Sequence, residues 1–549
     1  MPPTRGESKR SASNASMAEK LGRSLRNAGA VVPGSLATAI ILAAAMPGRL
    51  GWWPLLFVAL VPLLLIVSRR GAVQSTAAGM LAGFLYHVCL LYWIVIVLGR
   101  YGGLPPWLSV PALLLLAVYM GVYMAVFAGL LAFFKERCGP SREMAALYLA
   151  PVLWVGLDWL RGVLFSGFPW MDLGYGLASA PRLVQAADLG GHHLISFCLV
   201  LVNVLLVQAL TLGGTRRRPA AGEATAVIAA LSLLLLVGGY SLVRQAQLER
   251  VLTEGDRVRV GVVQGNIAQD EKWTPGRKST TLDIYGRLSE TLITGNKPDL
   301  LVWPETAIPF YPAVDPLFAE VAELAARHGI WLLSGVPHYT LDEVRHPSGP
   351  AAVVYYNSAL LIGPEGEPRG RYDKQHLVPF GEYVPLRRLL PFLEPLVESV
   401  GNFSPGVSGE PLEVNGMRLG TLICYESIFP GLSGRAVAAG ANLLVNLTND
   451  AWYGRSSAPH QSFAMAVFRA VETRRSLVRA ANTGISGFVS PLGSVVSQSA
   501  LFEPAALAAE VPLYEGRTVY TLFGRFFGPA CLVLVSVAGI LFLFQRQQP

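Results

Sequence analysis

The sequence predicts a polytopic α-helical membrane protein of eight spans, with an α/β domain inserted before the last span. Three observations carry that reading. Of 549 residues, 52% are hydrophobic and 15% charged, where soluble domains carry roughly 25% charged residues. Apolar runs able to cross a bilayer, which takes roughly 20 residues, recur up to residue 243 and return at 526–544. Between them lies one long stretch of ordinary polarity, so the chain holds at least two structural units.

The spans are expected at 31–47, 52–68, 72–98, 108–134, 145–162, 192–212, 224–243 and 526–544. This divides the chain into a basic leader (1–30), a seven-helix membrane part (31–243), an inserted domain (244–525) and a last span with a short tail (526–549). The first span is the weakest, being interrupted by Pro33 and Pro47. A cleaved signal peptide is disfavoured there, because the leader is long and no small-residue cleavage site follows. Basic residues follow every even-numbered span: Arg69 and Arg70, Lys135 and Arg137, Arg216 to Arg218, and Arg546. Loops rich in Lys and Arg stay in the cytoplasm. Both termini are therefore expected inside, and the inserted domain outside, held against the outer leaflet. The net charge of +8 lies mainly between apolar runs. It reads as a topology signal, and no nucleic-acid partner is expected. The 163–191 connection carries Phe165, Phe168, Pro169, Trp170 and Tyr175, which serve either as interfacial anchors or as the lining of an access path for acyl chains.

Within the inserted domain, strands and helices alternate. Arg257–Gln264 and Asp299–Trp303 read as strands, with a polar helix near 277–293 between them. Apolar residues from Val314 to Ala325 recur at helical spacing. Further strands are expected at 330–335, 355–362, 441–447 and 489–496. Asn415-Gly416, between 411–414 and 417–423, is a hairpin signal. This alternation predicts an α/β sandwich.

Three reactive side chains stand where strands stop: Glu305 after Leu301–Trp303, Lys374 after Arg371–Asp373, and Cys424 after Leu419–Ile423. Ligands meet α/β folds at the carboxyl ends of strands, so the three can converge. Cys89, Cys198 and Cys531 lie in apolar runs and Cys138 in a basic loop, which leaves Cys424 alone in the inserted domain. Together the three suit covalent acyl transfer. The thiolate attacks, the carboxylate takes the thiol proton, and the ammonium together with the Tyr425 backbone N–H stabilises the oxyanion. A Cys–His pair with His376 or His460 is the alternative. The histidines show no zinc spacing, so neither a metal nor another cofactor is expected.

Trp303-Pro304-Glu305, Tyr372-Asp373-Lys374 and Cys424-Tyr425-Glu426, in that order, resemble the nitrilase superfamily. Phe380-Gly381-Glu382-Tyr383-Val384-Pro385, Asn449 to Gly454, Lys272-Trp273 and Ser166 to Trp170 resemble the apolipoprotein N-acyltransferases of bacterial envelopes. The resemblance spans nearly the whole chain. It implies an αββα sandwich and a ping-pong reaction. An acyl chain would pass from a membrane phospholipid to Cys424 as a thioester, then to the α-amino group of a diacylglyceryl-cysteine at a lipoprotein N-terminus. It assigns Glu305 as base, Lys374 as oxyanion partner and Cys424 as nucleophile. Glu382 would orient Lys374, and Trp273 would sit at the pocket mouth. Tyr425, Glu426, Trp170 and Asn449 are carried over as supporting residues. It also implies a monomer in the bacterial inner membrane with a periplasmic catalytic domain.

The segment Phe380–Phe403, rich in Leu, Pro and Phe, is expected to be a lipid-facing arm over the pocket. Two other functions compete. A tethered amidase or nitrile hydrolase would use the same three residues but need open water access. A transporter would need ionisable groups within its spans, and Asp158, close to Arg161, is the clearest of these.

Overall fold

The computed structural model describes residues 29, 31–138, 143–215, 221–269, 275–342, 352–383 and 403–544. Most of the leader, Trp273 and most of the expected arm (384–402) lie outside the described residues.

Among the described residues, six helices are long and apolar enough to cross a membrane. They are α3 (Ala72–Leu91), α4 (Pro106–Arg137), α5 (Glu143–Ser166), α6 (Ala187–Gly214), α7 (Ala221–Glu254) and α12 (Val519–Phe544). The first two expected spans form shorter apolar helices, α1 (Val31–Ala45) and α2 (Trp53–Arg69). Length alone therefore supports six spans of the eight expected. The α-helix of the third span is interrupted at Tyr92, which keeps helical angles, and the chain continues as a short α-helix, Trp93–Ile96, and a π-helical turn, Val97–Tyr101. The seventh continues through Glu254, past the expected boundary at 243. Helices α3 and α4 meet along small residues. A Cβ on Gly79 would lie 2.3 Å from the Met124 carbonyl oxygen, and one on Gly83 2.9 Å from Gly121 Cα. In lipid, where both helices are apolar all round, close backbone approach of this kind supplies the packing.

The inserted domain consists of two six-stranded sheets. The first is ordered β12-β1-β2-β3-β4-β5: Ala505–Pro512, Arg257–Gln264, Leu300–Val302, Trp331–Asp342, Ala352–Ile362 and Pro368–Asp373. The second is ordered β11-β10-β9-β8-β7-β6: Val495–Gln498, Gly487–Val489, Ser476–Ala481, Leu443–Thr448, Met417–Ile423 and Leu412–Val414. Their inner faces share one core containing Val260, Val302 and Leu333 from the first sheet and Leu419, Val445 and Val478 from the second. Helices α8 (Lys278–Asn296) and α9 (Phe318–His328) cover the outside of the first sheet. Helices α10 (Pro430–Ala438) and α11 (Ala458–Thr473) cover the second. The αββα sandwich is thus present.

The expected hairpin forms in register, with Val414 opposite Met417. Asn415 (φ 44°) and Gly416 (φ 83°) supply the two positive φ angles that a primed turn requires. The expected strand at 489–496 is instead a turn between β10 and β11, which reverses at Gly493 (φ 81°). Pro491 and Gly493, between the valines of the two strands, are the local signal of that break.

Almost every side chain of α11 is buried, because its second face lies on the membrane helices. Charged groups cross this junction. Arg161 and His192 bond Asp172, the latter at 2.8 Å from Nε2. His192 Nδ1 lies 3.1 Å from Glu472, which pairs with Arg469 at 3.0 Å. Arg474 meets Asp188 at 3.0 Å, and Arg469 donates to the Tyr175 hydroxyl at 2.8 Å. Buried ion pairs add little net stability, but losing one partner costs about 3–5 kcal/mol. The pairs therefore fix how the halves fit. Tyr175 and Trp170 are buried here, which corrects the anchor reading for both; Phe165 remains 81% exposed. Asp158 pairs with Arg161 at 3.4 Å.

Candidate active site

Each reactive side chain follows a strand. Glu305 follows β2, Lys374 directly follows β5, and Cys424 directly follows β7. Cys424 has φ 53°, a left-handed conformation uncommon for a residue with a Cβ. The chain turns there into a short 3-10 helix, Cys424–Ile428, and the bend sets the side chain apart from the strand's two faces. Cys424 packs against both the intersheet core and the apolar cluster that continues into the membrane helices.

Lys374 is fully buried. Its Nζ lies 3.6 Å from Glu305 Oε1 and 2.9 Å from Glu382 Oε2. One cation between two buried carboxylates is held well above the usual lysine range by Glu382 and Glu305, although burial opposes this. Cys424 lies within electrostatic reach of Glu305 and Lys374. Burial first, and then the Glu305 charge, push its thiol up to about 12 against the opposing pull of Lys374. The sulfur therefore rests protonated beside a carboxylate, and the ammonium alone does not generate a thiolate.

Sequence reasoning missed Asn357, on β4. Its amide donates to Glu305 Oε1 at 2.8 Å and to Glu382 Oε1 at 2.9 Å, locking both carboxylates in place. The only signal was a polar Asn-Ser pair interrupting an apolar strand. Glu382 is anchored in addition by the Val378 N–H at 2.8 Å.

Glu426 is fully buried. It accepts from the backbone N–H groups of Gln375 (2.7 Å), His376 (3.0 Å) and Ile423 (2.7 Å), and from the Tyr372 hydroxyl (3.0 Å). One carboxylate thus ties the segment bearing Lys374 to the end of the strand bearing Cys424. Glu426→Gln replaces an acceptor oxygen with a donor facing backbone N–H groups. It is expected to cost about 2–3 kcal/mol, read as a lower midpoint in thermal unfolding of the detergent-solubilised protein.

Two family models match the chain. One is the apolipoprotein N-acyltransferase N-terminal domain, over residues 38–205, and the other is carbon-nitrogen hydrolase, over residues 259–520. An apolipoprotein N-acyltransferase of Geobacter metallireducens is 41% identical over 92% of this chain and 94% of its own length. The chain belongs to the apolipoprotein N-acyltransferase family. A second family member, from Methylococcus capsulatus, is 35% identical over 83% of this chain and 84% of its own length. Among solved structures, a carbon-nitrogen hydrolase from Helicobacter pylori G27 is similar at 17% identity and a TM-score of 0.35, covering 53% of this chain and 95% of that one.

In this acyltransferase the supporting residues divide. Tyr425 packs on Phe429 and His376 beside the elbow. Trp170 does not reach the reactive groups. It donates to Gln461 at 2.8 Å and packs on Trp93 and Tyr453, and Tyr453 lies in turn within electrostatic reach of Cys424. Asn449 bonds Gln269 at 2.6 Å and Asn482 at 3.1 Å, so it joins a loop network rather than the charge cluster. The His376 ring packs at a tilt against Phe429, centroids 3.8 Å apart, and burial pushes its pKa down to about 4. Among the described residues, neither His376 nor His460 hydrogen-bonds Cys424, which removes the support for a Cys–His pair. Asp172, His192 and His193 come close enough to hold a metal ion. However, both ring nitrogens of His192 already face carboxylates, and Arg161 occupies Asp172, so the cluster is complete as an ion network.

Proposed function

We propose that this acyltransferase works by a ping-pong route through a thioester on Cys424. The acyl donor is a membrane phospholipid, and the acceptor is the α-amino group of a diacylglyceryl-cysteine at a lipoprotein N-terminus. The observation that carries this reading is the position of Cys424. It lies beside a buried Glu–Lys–Glu cluster and also borders an apolar cluster that extends into the membrane helices.

In the first half-reaction Glu305 takes the thiol proton as sulfur attacks the ester carbonyl carbon. Lys374 and the Tyr425 N–H stabilise the oxyanion. The C–O bond breaks, and the departing lysophospholipid oxygen takes the proton from Glu305. In the second, the neutral amine attacks the thioester and the C–S bond breaks. The amine proton returns through Glu305 to sulfur. An acceptor arriving as ammonium releases one further proton to water. Glu382 and Asn357 hold Lys374 and Glu305 throughout. Apolar surroundings keep water from the thioester between the two steps.

Eight spans, with both termini cytoplasmic and the catalytic domain on the outer face, fit the basic loops. On that topology both amphiphiles reach Cys424 with their tails still in the bilayer, and a single chain carries the whole site. Protein purified from membranes is expected to carry a fatty acyl adduct on the Cys424 peptide. A diacylglyceryl-peptide amine should discharge it to the N-acyl product. An adduct on another cysteine would refute the proposal, and release as free fatty acid in the presence of the amine would support an amidase-like hydrolase instead.

A further inference from the structure

A cavity of about 350 Å³ lies at the junction of the two halves, and none of the reactive residues lines it. Its walls come from the end of α1 and the following turn (Met46 to Leu50), the end of α3 (Cys89, Leu90, Tyr92), and the start of α11 (Ser457, Gln461). The volume falls within the range of about 300–1,000 Å³ typical of small-molecule sites. Most of the lining is apolar, and Arg49 is its one charged residue. Arg49 is exposed, and among the described residues no carboxylate pairs with it. Tyr92 and Ser457 already use their oxygens as acceptors, from the Ser457 N–H at 3.0 Å and the Gln461 amide at 3.1 Å. Each hydroxyl proton remains for another acceptor.

The rim identifies the depth. Leu50 (56% exposed) and Tyr92 (37%) line the cavity and Trp52 (58%) follows Leu50 by two residues; exposed Trp and Tyr of this kind sit at headgroup level. Below them, α1 turns Leu36 and Ile40 outward, as a lipid-facing helix does. An unpaired guanidinium with two hydroxyl donors at that depth matches a phosphodiester oxygen pair. The exposed apolar stripe beneath matches the acyl chains attached to it.

We propose that this cavity binds the phosphodiester headgroup of a phospholipid, as a lipid site separate from the one at Cys424. Trp93, Trp170 and Tyr453 form an aromatic wall between the two. Gln461 lines the cavity and accepts from Trp170, so a bound headgroup would brace that wall from behind.

Cys89 lines the cavity as a free thiol and serves as the reporter. Full-length Cys424→Ala protein, which cannot turn the lipid over, is treated with N-ethylmaleimide in detergent micelles. Labelling of the Cys89 peptide is followed by mass spectrometry. Dioleoyl phosphatidylglycerol at about ten times its Kd should slow labelling about tenfold. Dioleoylglycerol, which lacks the phosphate, should give no protection, nor should millimolar inorganic phosphate. Arg49→Gln should abolish the protection and Arg49→Lys should retain part of it. Equal protection by dioleoylglycerol, undiminished protection in Arg49→Gln, or protection by inorganic phosphate without lipid would each overturn the proposal. Because the readout is at Cys89, failure here leaves the thioester route untouched.

Discussion

Replacing Cys424 with alanine is expected to lower N-acyl transfer by on the order of 10⁶-fold, the scale seen when a covalent nucleophile is removed. No acyl adduct should form on any other residue. Stability should hardly change. Cys424 is a half-buried thiol that rests protonated, so alanine removes one small polarizable group and a dipole next to the Glu305 charge. Labelled-phospholipid transfer to a diacylglyceryl peptide, read beside a thermal melt, separates the two outcomes. If transfer persisted within about tenfold of the original rate, a larger fall having been expected from the missing covalent step, the thioester route would be wrong. If the protein unfolded as well, Cys424 would be a packing residue first.

Lys374→Met should have the second largest effect, and it should act on both activity and stability. The substitution leaves Glu305 and Glu382 in one buried site, joined by Asn357, without the cation that lay 3.6 and 2.9 Å away. Leaving a buried charge without its partner costs about 3–5 kcal/mol. One of the two carboxylates can lower that cost by taking up a proton, so the variant should gain stability on acidification where the parent does not. Transfer should fall by roughly 10²–10³-fold through loss of the oxyanion partner. The pH dependence of the parent has a definite sign. Lys374 is held above its unfolded value of 10.5 in the folded protein. Its contribution to stability is therefore complete below about pH 10.5 and is lost as pH rises through the folded value. Parent and variant should differ most at neutral pH and approach each other in strong alkali. Thermal unfolding of both between pH 5 and 11 tests this, and a constant difference across that range would count against the buried-cation account.

How much of this was readable before the structure depends on the range of the forces involved. Strand periodicity is local, and it placed Glu305, Lys374 and Cys424 at strand ends, where α/β sheets gather ligands. Asn415-Gly416 was legible for the same reason, since a two-residue turn has a local chemistry. Asn357 and the anchoring role of Glu426 were not legible. Asn357 acts on residues from two other segments, and Glu426 reaches backbone N–H groups brought near only by folding. Of the two readings for Trp170 and Tyr175, the anchor fails because aromatic residues between spans ordinarily face the headgroups, whereas these two are buried under α11. The turn at Gly493 was legible as well, marked by Pro491 and Gly493, but the valines on either side were read as one strand. Helix α1 ends at Ala45, just before Pro47, and the first turn of α2 is a 3-10 helix before the regular helix from Val61, breaks that hydropathy alone does not show.

The ion pairs across the junction bear on how the protein comes into being. Arg469, Glu472 and Arg474 belong to the inserted domain, yet the Tyr175 hydroxyl, His192 and Asp188 that they meet stand on the part made earlier in synthesis. A fragment beginning near residue 257 would take Asp188 and Gln185 from Arg474 and the Tyr175 hydroxyl from Arg469, and would strip the cover from α11. The inserted domain is therefore expected to be less stable alone than in the full chain. Its folding is then expected to draw on the membrane helices already in place.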